Sequence, residues 1–305
     1  DRLYHGSTVA LDARTGELVW WAQHHTDMWN NDATYDRILV DAPVTPDPPD
    51  ALGVNPDITP GETRQLVVGS FSKDAIFYAY DRTDGEFLYA RPTAYQNVIQ
   101  GYDGRTGAFI TNPDAVMIAD EDRERTICRE NRQIPQGAYS PLTNAYYVPA
   151  FNWRCSIIRV TSLSPSLETG YNTSTVGFAP NPAGHLGQPE AIDVSTGQTL
   201  WRLDREAPLY GMLTTGGGLL FAGDTNRRFY AIDQWTGETV WQTILNGLSD
   251  MAPITYSVDG RQYIAVISPG GTVGSAGHVG QLRARSPIGQ RNVGHTLFVF
   301  ALPEE

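Results

Sequence analysis

The stretch ALDARTGELVW at residues 10–20 decides the fold, because its pattern Ala-x-Asp-x-x-Thr-Gly-x-x-x-Trp returns along the chain. Copies occupy residues 191–201 (AIDVSTGQTLW), 231–241 (AIDQWTGETVW) and, in degenerate form, 79–89 (AYDRTDGEFLY) and 102–107 (YDGRTG). In the third of these, Asp84 stands in place of the threonine and Tyr89 in place of the tryptophan. The pattern is therefore an internal repeat.

Each copy predicts a β-hairpin. Apolar alternation before the aspartate indicates a strand, the aspartate side chain can accept bonds from backbone N–H groups in the turn, and the glycine allows positive φ. The tryptophan, four residues after the glycine, offers a large apolar face and one N–H group for docking against a neighbouring unit. The 40-residue spacing of the copies at 191 and 231 is typical of one four-stranded propeller blade.

The sequence thus predicts an all-β propeller of about four blades, with a solenoid or a sandwich as the alternative. The interval between residues 89 and 191 is expected to hold at least one blade that lacks the motif, with residues 139–151 forming its strands.

Composition agrees with strands and turns, since the 305 residues include 30 Gly, 20 Pro and only 18% charged residues. A formal net charge of -12 argues against a nucleic-acid partner, which requires a cationic face. No run approaches the roughly 20 apolar residues of a membrane span, and residues 1–4 lack signal-peptide character. We expect a soluble chain, either mature or truncated.

Cys128 and Cys155 are the only cysteines, which allows one disulfide or two lone buried thiols. The segment 136–149 between them reads as a turn leading into a strand and favours the disulfide. Closing such a loop destabilises the unfolded chain by about 3 kcal/mol in the entropy model. A disulfide predicts an oxidising compartment, the periplasm or the cell exterior.

Several stretches resemble the eight-bladed quinoprotein alcohol dehydrogenases, enzymes that use pyrroloquinoline quinone (PQQ). The matching stretches are the tryptophan repeat, residues 78–85, 216–223 (GGGLLFAG), 252–260 (APITYSVDG), 262–266 and 296–303. They follow the order of the family's C-terminal half. The resemblance implies a single half-propeller domain over residues 1–305, whose ring is completed either by a second chain or by a missing N-terminal half.

The resemblance also places a candidate catalytic and metal site in HHTDMWNND, residues 24–32. The family's general base, an Asp directly after a Trp beside a calcium or lanthanide ion, is replaced by Asn30, an amide that cannot take the alcohol proton. Asp32 stands where lanthanide-using members have an extra carboxylate, so it is either a base or ligand or a solvated loop residue. Arg2 falls at an asparagine ligand position and either replaces the ion's charge or indicates a lost metal site.

Four residues match family positions at the quinone. Lys73 matches the cation at the quinone oxygens, with a turn lysine exposed to water as the alternative. Asn152 matches the asparagine that bonds the quinone, in an alignment uncertain by one residue, and Tyr210-Gly211 matches a Trp-Gly pair. The adjacent His24 and His25 are predicted to be structural, because neighbours on an extended chain point to opposite sides.

Two functions follow. The first is a periplasmic dehydrogenase that oxidises a small alcohol with PQQ and passes electrons to an external acceptor such as a cytochrome, since no Cys-x-x-Cys-His haem motif is present. The second is a degenerate, inactive propeller that serves as a binding or assembly module. Asn30 and Arg2 favour the second function, whereas Lys73 and Asn152 favour the first, which we predict.

Overall fold

The computed structural model describes residues 3–25, 33, 35–115, 124–128, 136–150, 154–162, 170–178, 185–249, 251–268 and 294–302. All regular elements within these ranges are β-strands. No helix fit to cross a membrane occurs in this described part of the chain. The chain divides into two compact units, of which unit 1 is Asp1–Arg132, Phe151–Gly184 and Val194–Gln198, and unit 2 is Gln133–Ala150, His185–Asp193 and Thr199–Glu305.

Unit 1 contains four antiparallel sheets. Its strands are β1 (Ser7–Leu11), β2 (Leu18–Gln23), β3 (Ile38–Val44), β4 (Gly53–Val54), β5 (Glu62–Gly69), β6 (Ile76–Asp81), β7 (Phe87–Pro92), β8 (Ile99–Tyr102), β9 (Phe109–Thr111), β10 (Glu124–Cys128), β13 (Arg154–Ser162) and β14 (Gly170–Phe178). The strand orders are β1-β2, β3-β5-β6-β7-β4, β8-β9 and β10-β13-β14. Strand β6 is buried at every position, so the five-stranded sheet forms the centre of this unit.

Unit 2 contains three antiparallel sheets. Its strands are β11 (Ala138–Ser140), β12 (Ala145–Val148), β15 (Glu190–Asp193), β16 (Thr199–Arg202), β17 (Leu209–Thr214), β18 (Leu219–Asp224), β19 (Arg228–Asp233), β20 (Thr239–Ile244), β21 (Ile254–Val258), β22 (Arg261–Ser268) and β23 (Thr296–Ala301). The orders are β11-β12-β15-β16, β17-β18-β19-β20 and β21-β22-β23. The two four-stranded sheets have the composition of propeller blades, which confirms the all-β propeller prediction.

The repeat forms hairpins as predicted. In the first copy the Asp12 carboxylate accepts the backbone N–H groups of Arg14 and Thr15, both at 2.9 Å. Gly16 follows at φ +73°, a conformation that glycine adopts without strain. The bonds from Thr15 and Arg14 hold the pKa of Asp12 below its ordinary value, because they favour the ionised carboxylate.

The tryptophan of the repeat docks on the turn of another copy. In unit 1 the ring of Trp20 covers Gly85, where an added Cβ would lie 2.8 Å from the indole. Its Nε1–H donates to the Arg82 carbonyl at 2.8 Å. We call this contact the docking joint. It consists of an aromatic ring that packs on a glycine and donates a hydrogen bond to the backbone carbonyl three residues before that glycine.

The same offset occurs in two further joints. In unit 1 the Tyr89 hydroxyl donates to the Val194 carbonyl at 2.8 Å, and its ring lies over Gly197. In unit 2 the Trp201 Nε1–H donates to the Gln234 carbonyl at 2.9 Å and packs on the glycine three residues later. Docking by the repeat is thus confirmed, including the copy that has tyrosine.

One expectation about the interval between the repeats is wrong. Strands β11 and β12 do not form a separate blade without the motif, because β12 pairs with β15 and places Tyr147 opposite Ala191 of the motif. The reason is that the chain leaves this sheet after β12 and returns to it at β15. Strands β13 and β14 lie in this part of the chain; in unit 1, β13 pairs with β10, and β14 pairs with β13.

The predicted disulfide is present. Cys128 and Cys155 are opposite each other in the β10-β13 pair, and their sulfur atoms are 2.06 Å apart. The backbone N–H of Cys128 also donates to the Asn97 side chain at 2.8 Å. The bridge therefore joins two strands that are 27 residues apart in sequence.

Candidate cofactor site

Four of the predicted site residues lie outside the described residues. These are the candidate base and metal ligands Asn30 and Asp32, the altered ligand Arg2, and Asn152. Their roles stay predictions. Among the side chains that the structure does describe, no group of three or more His, Cys, Asp or Glu is placed to hold a metal ion.

Lys73 lies in the turn of residues 70–75 that joins β5 to β6 in unit 1. It is only 4% exposed, so the alternative of a turn lysine in water is wrong. It is also the only lysine in the sequence, since 21 of the 22 Lys and Arg residues are arginines. Burial of an ammonium group is expensive unless the surroundings compensate its charge. The only lysine of the sequence is therefore held inside unit 1.

The backbone of this turn is strained at its end. Ala75 adopts φ +66°, a left-handed conformation that is uncommon for residues with a side chain. Ser72 and Asp74, the chain neighbours of Lys73, are both fully buried. The surrounding packing therefore imposes the turn conformation that carries the lysine.

Aromatic rings line the same region. Phe71 stacks on Tyr78 with ring centroids 5.4 Å apart, and the His24 ring lies 4.8 Å from Tyr78 and 5.0 Å from Phe71. All three side chains are fully buried. Two of these rings, Phe71 and Tyr78, are close in sequence to Lys73.

A chain of oxygen atoms runs through these rings. Asp74 Oδ2 is 2.5 Å from the Tyr78 hydroxyl, which is 2.8 Å from the Tyr102 hydroxyl. Tyr102 in turn donates to the His24 carbonyl at 2.8 Å. The other carboxyl oxygen, Asp74 Oδ1, accepts the backbone N–H of Ile76 at 3.1 Å. This series of hydrogen-bonded oxygen atoms thus connects the Lys73 turn to strands β6 and β8 and to the residue after β2.

Burial controls the protonation of this cluster. Desolvation raises the pKa of Asp74, against opposing effects of which the largest is the charge of His25. Desolvation also raises the pKa of Tyr78 and lowers that of His24, where the charges of His25 and Arg37 add to the decrease. Burial thus shifts all three groups toward their neutral forms.

His24 has a structural environment, as the sequence suggested. Its Nε2 is 2.8 Å from Thr8 Oγ1, which also accepts Arg37 Nε–H at 3.0 Å. The Arg37 guanidinium lies over the Phe71 ring at 5.0 Å. His25 is buried beside it in the chain. These contacts anchor the segment that leads into the candidate base region.

Unit 2 contains the other predicted cofactor residues. Tyr210 is 2% exposed, and Gly211 forms a β-bulge in β17 at φ +44°. A Cβ on Gly211 would lie 2.2 Å from the backbone nitrogen of Ala252, so only glycine fits. The Tyr-Gly pair is therefore fixed by close approach of two backbone segments.

Sequence reasoning missed Asp74 and a second buried carboxyl, Asp224 in unit 2. Asp224 Oδ2 accepts the Tyr230 hydroxyl at 2.7 Å, and Oδ1 accepts the backbone N–H of Arg228 at 2.8 Å. The missed signal was a tyrosine in the same place of two repeats, since Tyr78 and Tyr230 both begin the pattern Tyr-Ala-x-Asp. Each of these tyrosines contacts a buried aspartate just before its strand.

Comparison with known proteins gives consistent results. The family model described as PQQ glucose/ethanol/alcohol dehydrogenase, β-propeller domain, matches residues 181–264. The dehydrogenase subunit of an alcohol dehydrogenase (quinone) from Komagataeibacter europaeus is 30% identical over 281 residues, which cover 87% of this chain and 36% of that protein. A 1-butanol dehydrogenase (cytochrome c) from Thauera butanivorans is 29% identical over 99% of this chain and 42% of its own length.

The structural comparison agrees. The crystal structure of the quinohemoprotein alcohol dehydrogenase from Comamonas testosteroni superposes with a TM-score of 0.78 at 25% identity, covering 99% of this chain and 44% of that one. The chain thus spans less than half the length of these relatives.

Proposed function

The chain belongs to the quinoprotein alcohol dehydrogenase family of β-propellers, and we propose that it is part of an enzyme that oxidises a small alcohol with PQQ. The observation that carries this proposal is Lys73, a unique lysine that is buried in a strained turn beside aromatic rings. A preorganised cation in a site without water stabilises an anionic reduced quinone far better than an exposed cation does.

Lys73 in unit 1 fits the charge of a reduced quinone, because its ammonium would bind the quinone oxygens. When bound, the quinone supplies the two-electron acceptor of the oxidation. For the calcium or lanthanide ion, no group of three or more His, Cys, Asp or Glu lies together among the described residues, so that part of the proposal rests on Asn30 and Asp32.

The proposal includes partners. Apolar side chains are exposed on the β1-β2 sheet, such as Leu11 and Val19, and on the β21-β22-β23 sheet, such as Ile254 and Leu297. Faces of this kind support completion of the ring by further blades from a second chain or from more of the same chain. An external electron acceptor such as a cytochrome is proposed because the Thauera butanivorans relative is a 1-butanol dehydrogenase (cytochrome c). The disulfide supports a periplasmic or secreted location.

The test is quinone retention together with alcohol-dependent dye reduction. The native assembly, which includes the blades that complete the ring, is purified, incubated with PQQ and either calcium or a lanthanide, desalted, and measured for quinone absorbance and activity. Lys73→Met keeps the chain length but removes the charge, and it should lower activity about 10²- to 10³-fold, as loss of one preorganised donor does. Lys73→Arg should retain part of the activity.

Arg14→Met is the matched control, because it removes one positive charge from an exposed position of the first turn. It should leave both readouts unchanged. If the wild-type protein retains no quinone and reduces no dye with either ion, the dehydrogenase proposal is wrong and the inactive binding or assembly module is favoured.

A further inference from the structure

The series of hydrogen-bonded oxygen atoms from Asp74 to the His24 carbonyl requires one hydrogen more than its two tyrosines supply. The His24 carbonyl can only accept, so the Tyr102 hydrogen is used in that 2.8 Å contact. The 2.8 Å contact between Tyr78 and Tyr102 must then use the Tyr78 hydrogen. No tyrosine hydrogen is left for the 2.5 Å contact between Tyr78 and Asp74.

We infer that Asp74 is protonated at neutral pH, donates its hydrogen to Tyr78, and so positions the turn that carries Lys73. Without that hydrogen, two oxygen atoms would face each other at 2.5 Å with only lone pairs between them. Complete burial of Asp74 disfavours a carboxylate in the same direction.

Asp224, the second buried carboxyl, does not need a proton of its own to complete its contacts. Asp224 receives one hydrogen from Tyr230 and one from the Arg228 backbone, so each contact has its own donor. Arg205, whose guanidinium lies 4.2 Å from the Tyr230 ring, adds a nearby positive charge. Two aspartates next to equivalent tyrosines therefore differ in the number of hydrogens that their contacts require.

None of the titratable or charged groups that face Asp74 removes the need for its proton. Tyr78, Tyr80 and Tyr102 are buried phenols, and burial is the main cause that raises the pKa of each. An electrostatic effect of His25, which follows β2, opposes the effect of burial on the pKa of Asp74. Beyond it, Arg37 is engaged with Thr8 and Phe71.

The consequence for Lys73 rests on the proposed function. An ionised Asp74 would add a negative charge to the turn that carries Lys73. A protonated Asp74 keeps the turn hydrogen-bonded through Ile76 and Tyr78 while the positive charge remains. Asp74 is thus a positioning residue and not a catalytic one.

The experiment compares the purified wild-type protein with Asp74→Asn, whose amide also donates a hydrogen. Infrared difference spectra at pH 7 should show the C=O band of a protonated carboxyl in the wild type, shifted in D₂O and absent from Asp74→Asn. The folded wild type holds a proton that the unfolded chain releases above about pH 4, so its stability falls as pH rises. Relative to Asp74→Asn, its unfolding equilibrium constant should increase about tenfold per pH unit up to the folded pKa.

Asp12→Asn is the matched control, because it removes the same charge from a carboxylate whose pKa is lowered by backbone N–H groups. Relative to that variant, wild-type stability should be present above about pH 4 and lost as pH falls further. Absence of the carboxyl band, or a wild-type stability that is flat or rises with pH relative to Asp74→Asn, would overturn the protonation of Asp74.

Quinone retention tests the positioning role separately. Asp74→Asn should retain quinone like the wild type from pH 5 to pH 7, because the side chain is neutral in both proteins. A change in retention would contradict a neutral Asp74. If the infrared band is present but Lys73→Met retains quinone normally, the proposed function fails while the protonation of Asp74 stands.

Discussion

Replacing Gly85 with alanine should destabilise unit 1 more than the same replacement at Gly16. Both glycines occupy the same turn of the repeat, at φ +81° and +73°. A Cβ on Gly16 has no neighbour within 4 Å, whereas one on Gly85 would lie 2.8 to 3.0 Å from three atoms of the Trp20 ring. The pair of variants therefore separates backbone strain from loss of docking.

The expected magnitudes follow from these contacts. Left-handed backbone strain costs about 1–2 kcal/mol in either variant. At Gly85, overpacking against the indole adds about 1–3 kcal/mol. Displacing the indole also weakens the 2.8 Å bond from Trp20 to the Arg82 carbonyl, which contributes about 1 kcal/mol. Gly85→Ala should thus lose at least about 2 kcal/mol more than Gly16→Ala.

Urea unfolding followed by circular dichroism measures both losses. Adding Trp20→Leu to Gly85→Ala should relieve the clash and give a coupling energy of about 0.5–3 kcal/mol in a double-mutant cycle. Equal losses for Gly16→Ala and Gly85→Ala, or additive effects of the Gly85 and Trp20 substitutions, would refute tight docking of the tryptophan on the turn.

Two further predictions concern the bridge and the bulge. Replacing Cys128 and Cys155 by serine should lower the free energy of unfolding by about 3.5 kcal/mol, since the bridge closes a loop of 27 residues, and wild-type protein in reductant should show the same urea midpoint. Gly211→Ala should lose about 3 kcal/mol or more by urea unfolding, because its Cβ would meet the backbone of Ala252, whereas Gly216→Ala, with open space around it, should be nearly neutral.

Local chemistry made much of the fold predictable. The Asp-to-backbone bonds of the turn, the positive φ of its glycine and the docking of its aromatic residue all depend on residues within one repeat and on a copy of it. The disulfide was predictable for a similar reason, because only one pairing of Cys128 with Cys155 exists. Family resemblance added Lys73, and its burial confirmed that it is not a solvated turn residue.

Long-range pairing was not predictable. The sequence predicts a separate blade for β12, because it does not indicate that the chain forms β13 and β14 in another sheet before β15 pairs with β12. The oxygen chain was missed because Tyr78, Tyr102 and His24 are up to 78 residues apart and meet only through packing of three sheets. The number of hydrogens that a set of buried oxygen atoms requires depends on three-dimensional contacts that no local pattern encodes.

The docking joint has a consequence for how such repeats are recognised and exchanged. It uses a missing Cβ and a main-chain carbonyl, so the side chains between them are left free to vary, as Thr83 and Asp84 illustrate. Any aromatic donor of suitable length can close it, as Tyr89 does on Gly197. Searches that require an indole will therefore undercount blades, and a hairpin grafted from another propeller should seat here if it preserves only the glycine and its offset from the acceptor.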